Sequence, residues 1–518
     1  MEEIEFRDES QLAEMGYKQE LRRDWGLIHN FGVSFSIISV ITGITTLFEY
    51  GLTVGGSSVI VYGWIVVGFF TMFVALAMAE VVSSVPSSGG PYFWAFSLAP
   101  RSHAAFAAWA TGWFNLLGQV AVTTGIDFGL AGLISTTATV QNPDFVPTAG
   151  KTIGIYLAIL VSHGLINTFG VHILRYLNNT SIVLHSLGVF SLIVAILAKA
   201  PTHQPASFVF ASFNDGTGVE DVGWSVRASP AYVAVTGVLL AQYTITGFDA
   251  SAHLAEETQK ASWSAPLGVI MSVGVSFVFG FFVIMGYLFS IQDFDSTVNS
   301  PYGQPVLQIL VDIFGPTGAV VHRKTTVPTL NPGLYSLVMF AFARDSAIPH
   351  WFAQVDHTYK SPIRTVWLAA FLSFCLGLPS LGSTVAFAAA TSIATIGLYV
   401  SYILPILIGA IWPRNFHKGP FNLGVFSRPI AFTASLWVGF IVIVFCLPTQ
   451  NPVNSQTVNY TAAAVGIIAL WIVLSWVTFA KRTFTGPVKQ IEAEAAGLDL
   501  NDPEEYEKVE DAERRKKE

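Results

Sequence analysis

The chain has 518 residues, of which 52% are hydrophobic and only 12% charged, with a formal net charge of −8. Soluble domains average roughly 25% charged residues, and residues 51–79, 264–292, 365–413 and 429–480 contain no Asp, Glu, Lys or Arg. A soluble core helix keeps a polar face; these stretches keep none, which excludes a water-soluble domain and leaves an integral membrane protein.

The negative charge belongs to the ends. Residues 1–30 carry 8 acids against 4 bases, and residues 483–518 carry 11 against 6. The balance therefore says nothing about the charge of a substrate. Both ends read as solvated tails, with contacts to cytosolic partners or regulated turnover as a further role. The two cysteines, Cys375 and Cys446, fall in separate apolar stretches and build neither a disulfide framework nor a metal site. The first 30 residues lack an h-region, so no cleavable signal peptide is expected and the first apolar helix serves for insertion. No paired-carboxylate, histidine-cluster, Ser-His or phosphate-loop pattern suggests an enzyme, and no metal or cofactor is expected. No basic stripe suggests nucleic acid, and no ring of repeated pore residues suggests a channel. The expected partners are a small-molecule substrate and the lipid bilayer; oligomeric state is not readable.

In chain order the sequence predicts a cytosolic tail over 1–30, a transmembrane domain over 31–480 and a charged cytosolic tail over 481–518. A spanning helix takes about 20 apolar residues. Apolar runs bounded by charges, Gly and Pro predict helices at 31–48, 58–79, 104–130, 152–170, 180–198, 229–255, 266–289, 365–381, 384–410, 429–447 and 459–480. A twelfth crossing is required within 305–343. With the N-terminus inside, nine loop cations (Arg101, Arg175, Lys260, Arg344, Lys360, Arg364, Arg414, Lys418 and Arg428) lie inside and three (Lys151, Lys199 and Arg227) outside. That bias follows the positive-inside rule. It fails if 305–343 does not cross.

The first and sixth spans carry the same interruption. Ile41-Thr42-Gly43-Ile44 and Ile245-Thr246-Gly247-Phe248 share an Ile-Thr-Gly-apolar core at positions equivalent in an inverted repeat of five helices. Paired Gly-interrupted spans point to a transporter site near the midplane. A break frees backbone groups, tolerated in a membrane only where they line a cavity. The freed N–H groups favour an anion such as a carboxylate, by about 0.3–1 kcal/mol each and up to ~2 when partly buried; freed carbonyls accept from an ammonium. Packing by small residues is the other reading of either helix alone.

Four segments carry a resemblance. They are Leu12 to Arg23, Pro86-Ser87-Ser88-Gly89-Gly90-Pro91-Tyr92, Thr246 to Thr258 and Phe340 to Pro349. Over residues 10–485 the chain resembles the amino acid/choline permeases of the amino acid–polyamine–organocation superfamily, especially the fungal amino-acid and GABA permeases. The resemblance implies an all-α fold of about twelve transmembrane helices: two inverted five-helix repeats, with helices one and six discontinuous, plus two C-terminal helices. It implies secondary transport of amino acids or GABA by alternating access, coupled to protons or to exchange. Choline or polyamine transport, and a transport-incompetent nutrient sensor, are the alternatives. By the resemblance Thr42, Gly43, Ile44 and Thr45 receive a carboxylate, while Gly247, Phe248 and Asp249 supply amine contacts and an aromatic lid. Tyr243, one turn earlier, lines the same cavity by helical spacing.

Ionisable groups inside a bilayer cost about 2.5–3.5 kcal/mol on insertion scales, and each is a functional candidate. Asp249 either caps the second half of the sixth helix or pairs with a substrate ammonium. His185 lies in the fifth helix, the helix in which proton-coupled bacterial relatives of the family carry a lysine, and by that resemblance is the proton-coupling candidate; a neutral histidine bonded to a nearby carbonyl or to a hydroxyl of the first span competes. Glu256 and Glu257 are inner-gate candidates, and Glu80 reads as interfacial. Asn115 and Gln119 share a helix face, bordering the cavity or bonding between helices.

The eighth span departs from the family pattern. His322-Arg323-Lys324 and then Pro328 and Pro332 do not suit a spanning helix. Either the stretch is mis-translated, or 305–321 makes the crossing with Asp312 buried, or the protein is divergent and non-transporting. The plasma membrane is the first location expected, the vacuolar membrane the second.

Overall fold

The computed structural model describes residues 25–142, 144–219, 221–326, 333–345, 347–356, 361–383 and 385–487. Most of both expected tails lies outside the described residues, as does 327–332 of the abnormal segment. Among the described residues no β-strand longer than an isolated bridge occurs, and ten helical stretches are long and apolar enough to cross a bilayer. Backbone polar groups have no water to bond in hydrocarbon, so helices are the form such apolar runs take.

The first span is two helices, α1 (Leu27–Ile38) and α2 (Val40–Thr53). The second, α3 (Gly56–Ser84), leads through the Ser87–Gly90 turn into the short α4 (Pro91–Leu98). The third, α5 (Arg101–Gln141), has 41 residues and runs past the expected 104–130 at both ends. Helices α6 (Ala149–Phe169) and α7 (Val171–Lys199) follow. The sixth span is in pieces: α8 (Pro230–Gly237), α9 (Leu239–Thr244), a non-helical stretch, and α10 (Ala250–His253). Helix α11 (Ala261–Phe289) makes the seventh. Helices α12 (Pro305–Thr326) and α13 (Gly333–Arg344) occupy the eighth position. Then come α14 (Ile363–Gly377), α15 (Ala386–Ile411), α16 (Ser427–Val444) and α17 (Thr461–Ser475).

The eighth position is where the structure is least like its neighbours. Gly315, at φ 70° and followed by Pro316, breaks α12 into two arms. Neither α12 nor α13 ranks with the ten apolar spans. Asp312 is half-buried and takes a 2.7 Å hydrogen bond from Gln308 Nε2, so its carboxylate is supported from within its own helix.

The core sits where α5 and α15 cross, with α1, α3 and α11 packed around the broken spans. The α5–α15 crossing depends on two glycines. A Cβ on Gly397 would lie 2.6 Å from the backbone of Gly118, and one on Gly118 would lie 2.6 Å from the backbone nitrogen of Leu398. Small residues let membrane helices approach this closely, and van der Waals packing then holds them. On the face carrying Arg101 and Arg414, called the basic face below, Glu80 is buried and accepts from Leu423 N (3.1 Å) and Ser427 Oγ (2.6 Å). It is an anchor for the loop before α16 rather than an interfacial charge. Gly397→Leu is expected to force α5 and α15 apart and cost about 1–3 kcal/mol as an overpacked contact. Gly439→Leu, which meets nothing within 4 Å, is expected to be near neutral. Thermal unfolding of the two purified variants in detergent measures the contrast.

Candidate functional site

The first span breaks at Ser39, not at the expected Thr42–Thr45. Ser39 is left-handed, at φ 41° and ψ 65°, and Thr42 to Thr45 lie within regular helix α2. A non-glycine residue at positive φ is uncommon and strained, and such residues gather at functional sites. The surrounding bonds hold it there. Ser39 Oγ lies 2.6 Å from His185 Nε2 and donates to Thr42 Oγ1 at 2.9 Å. Because the break restarts the helix, the first turn of α2, Val40 to Thr42, presents N–H groups without intrahelical acceptors. Gly43 bonds normally to the Ser39 carbonyl, at 3.0 Å. Its missing side chain serves packing instead, since a Cβ there would lie 2.8 Å from Thr244.

The sixth span breaks where the sequence predicts. Residues 245–249 are non-helical, and Gly247 takes φ 92°, a region open to glycine at little cost. The freed carbonyls are collected by side chains. Tyr399 Oη donates to Ile245 O at 2.7 Å, Thr246 Oγ1 to Gln242 O at 2.8 Å, and Ser34 Oγ to Phe248 O at 3.1 Å.

Between the two breaks lies a hollow lined by Ser39, Thr42, Gly43, Tyr243, Thr244 and Thr246, closed by Ile37, Ile38, Val122 and Gly125. About 40 Å³ of it is open to the centre of a water molecule, room for on the order of three waters. This is a narrow hollow. Tyr243 Oη is buried there without a hydrogen-bond partner. It occupies the space that a side chain on Gly125 would fill, 2.5 Å from the Cβ position.

The expected site residues divide. Thr42, Gly43 and Tyr243 line the hollow. Ile44 is core, and Thr45 turns to Tyr287 Oη (3.2 Å) and gives its carbonyl to Gln304 Nε2 (2.6 Å). Gly247 shapes the break and lies against Ile37. Phe248 packs between Tyr399 and Tyr402, at centroid distances of 6.0 and 5.2 Å. It is buried and is not among the residues that line the hollow. Asp249 occupies the N-cap position of α10, yet its side chain caps nothing. Its Oδ1 accepts from Tyr402 Oη at 2.7 Å, and its Oδ2 faces His253 Nε2 at 3.4 Å. His185 is held by both competing partners at once: Nδ1 lies 2.9 Å from the Ser181 carbonyl and Nε2 faces the Ser39 hydroxyl. Asn115 Nδ2 bonds Ser401 on α15 at 3.3 Å, and Asn115 Oδ1 and Gln119 Oε1 are buried without partners, outside the hollow.

On the basic side α1 and α10 are fastened to each other. Asn30 Nδ2 donates to Ser251 O (2.8 Å) and Thr258 Oγ1 (3.1 Å), and Ser251 Oγ returns a bond to Asn30 O (3.0 Å). Ser251 N donates to Ser34 Oγ at 2.8 Å, and Trp25 N to the Glu257 carbonyl at 3.1 Å. Glu256 Oε1 accepts from Ser88 N (3.0 Å) and Ser88 Oγ (2.7 Å). Glu256 thus ties this pair to the turn after the second span, while Glu257 contributes its backbone.

Two groups escaped the reading of the sequence. Asp127, buried in α5, pairs with His163 of α6 at 3.2 Å; each is a titratable residue within an otherwise apolar span, the signal that flags such sites. His253 follows Asp249 by four residues, the spacing that brings two side chains to one helix face.

Comparison with known proteins places these features in a family. The model of a family described as amino acid permease matches residues 28–473. A rice protein named amino-acid permease BAT1 homolog is 40% identical over 508 residues, covering 93% of this chain and 96% of its own. The Arabidopsis thaliana amino-acid permease BAT1 is likewise 40% identical, with 93% and 96% covered. Amino-acid permease 2 of Neurospora crassa is 27% identical, with 92% and 88% covered. The plant relatives are thus more similar than this fungal one.

The α1–α10 fastening has a measurable consequence. Asn30→Ala is expected to cost about 1–3 kcal/mol by orphaning buried partners. Combined with Ser251→Ala it is expected to depart from the sum, because each side chain bonds the other residue's backbone carbonyl within one network. Detergent unfolding of the four proteins tests this, and strict additivity would contradict the shared network.

Proposed function

The chain belongs to the amino acid permease family, and we propose that it carries amino acids across a membrane by alternating access, with the substrate carboxylate held at the break of the first span. The observation that carries this reading is the break itself. At Ser39 the helix restarts in mid-span, and the new helix start borders a hollow lined by Ser39, Thr42 and Tyr243. Anions are favoured at such a terminus. Choline has no carboxylate to offer it, so amino acids and GABA fit better than choline or a polyamine. The hydroxyl oxygens of Thr244 and Thr246, across the hollow, suit the ammonium.

Alternating access needs one side shut while the other opens. In this structure α1 and α10 are bonded to each other and to the Ser87–Gly90 turn, which supports a state closed on the basic face. That face is the cytosolic one by the distribution of basic residues. Coupling is to protons or to exchange. The plasma membrane is the first location, the vacuolar membrane the second.

One observation favours a second reading, a sensor that binds without moving its ligand: the kinked and shortened eighth position. Flux separates the two. Expressed in a cell without its own general amino-acid permeases, the parent is expected to take up label from an amino-acid mixture or GABA. Gly247→Ile, strained at φ 92° and 2.7 Å from Ile37, is expected to lose at least about tenfold, the effect of ~1.4 kcal/mol. Gly125→Leu, filling the hollow beside Tyr243, is expected to lose as much while reaching the membrane normally. Binding without uptake by surface-expressed parent would establish the sensor.

A further inference from the structure

His253 sits on α10, between the broken sixth span and the turn that closes the basic face. Its two ring nitrogens face two acceptors. Nδ1 lies 2.9 Å from the carbonyl oxygen of Ser88, and Nε2 lies 3.4 Å from Asp249 Oδ2. Both Nε2 and Oδ2 are buried and have no hydrogen-bond partner. A neutral imidazole carries one N–H, and the Ser88 carbonyl, which can only accept, requires it on Nδ1. The Nε2 lone pair would then point at a carboxylate oxygen in a site shielded from water. That arrangement repels unless a further proton lies between the two atoms. His185 makes the opposite case: its nitrogens face hydroxyls that can accept or donate, Ser39 at Nε2 and Ser181 at Nδ1 (3.2 Å), and no carboxylate.

We propose that the Asp249–His253 pair is a proton-binding site, and that its proton locks α10 to the Ser87–Gly90 turn on the basic face. The proposal rests on the permease reading and supplies its coupling ion. The proton enters from the opposite side through the hollow and is taken up by the Nε2 lone pair, making an imidazolium that bonds Ser88 and neutralises Asp249. Its departure to the cytosol restores neutral His253 beside an ionised Asp249, and the contact that held α10 to the turn is weakened. The packing leaves little room for another arrangement, since a Cβ on Gly90 would lie 2.2 Å from the His253 ring.

Few other charges face the pair. Glu256, on the same segment, is bound to Ser88. From α15 comes Tyr402, donating to Asp249. Along α1 the titratable residue is His29, exposed at the far end, and α11 offers only Tyr287, engaged with Thr45. Beyond the turn, Tyr92 donates to Asp345 at 2.8 Å, beside Arg344. The proton is thus held between these two side chains.

The test uses the full chain in proteoliposomes, with a labelled amino-acid mixture and a pH-sensitive dye inside. With the outside acidic by one unit, one-to-one coupling allows the parent to accumulate label up to about tenfold, with internal acidification. His253→Gln and Asp249→Asn are expected to bring accumulation near onefold while still exchanging labelled for unlabelled amino acid. His163→Gln, which removes the other buried histidine–carboxylate pair, is expected to keep accumulation. The proposal is overturned if the folded His253 and Asp249 variants both accumulate as the parent does. It is also overturned if the parent exchanges amino acids with no proton movement, an outcome that leaves the permease reading intact; a parent that neither exchanges nor accumulates sinks both. Should both variants fail to fold, an infrared difference spectrum of the parent between about pH 5 and 8 must show a titrating imidazole–carboxylate band, and its absence overturns the proposal.

Discussion

A backbone polar group in a bilayer must find a partner inside the protein, and two interrupted spans multiply such groups at the centre of this molecule. Each unsatisfied group costs several kcal/mol in hydrocarbon. The breaks at Ser39 and Gly247 are therefore tolerable only because other helices enclose them. Much of what surrounds them answers this demand. Tyr399 reaches from α15 to the Ile245 carbonyl, Ser34 from α1 to Phe248, and Thr246 back to Gln242. The first turn of α2 has N–H groups without intrahelical acceptors, and Thr42 of that turn lines the hollow. This division of the freed groups supports the anion proposed at the first break.

The same constraint shapes the machinery beyond the hollow. With its helix cut in two, each half of the first and sixth spans can tilt separately, and the bonds between α1 and α10 make the basic-side halves one unit. Asn30, Ser34 and Ser251 carry most of that connection. This unit touches the Ser87–Gly90 turn through two side chains, Glu256 and His253. Motifs far apart in the chain converge there, because Tyr92 of the turn also bonds Asp345 of the segment after α13. The fold gathers many of its polar contacts at these basic-side halves, while the α5–α15 crossing rests on glycines and close packing, with Asn115 bonding Ser401 across it.

Much of this was legible in the sequence because its causes are local. Charge-free runs announce spans, the loop cations give a side, and Gly247 marks a break since its φ favours a residue without Cβ. The break at Ser39 was hidden for the same reason: Gly43 was the residue with backbone freedom, yet its role is to let Thr244 approach. Strain at a serine is held by Thr42, three residues on, and by His185 from another helix, a tertiary partner that no local pattern announces. The division of Phe248 and Asp249 away from the hollow follows from how the sixth span turns after Gly247, a rotation that spacing along a broken helix does not determine. Asp127 and His163 were visible singly, as ionisable residues in apolar runs, but their pairing joins different helices.

The central claim is that the start of α2 is a carboxylate site, and the most direct measurement compares ligands that differ only there. Calorimetric binding to the purified protein would use an amino acid that it takes up and the carboxamide of that amino acid. Charge-assisted hydrogen bonds contribute about 1.5–3 kcal/mol, so the account expects the carboxamide to bind at least about tenfold more weakly. Equal affinity for the two would contradict it.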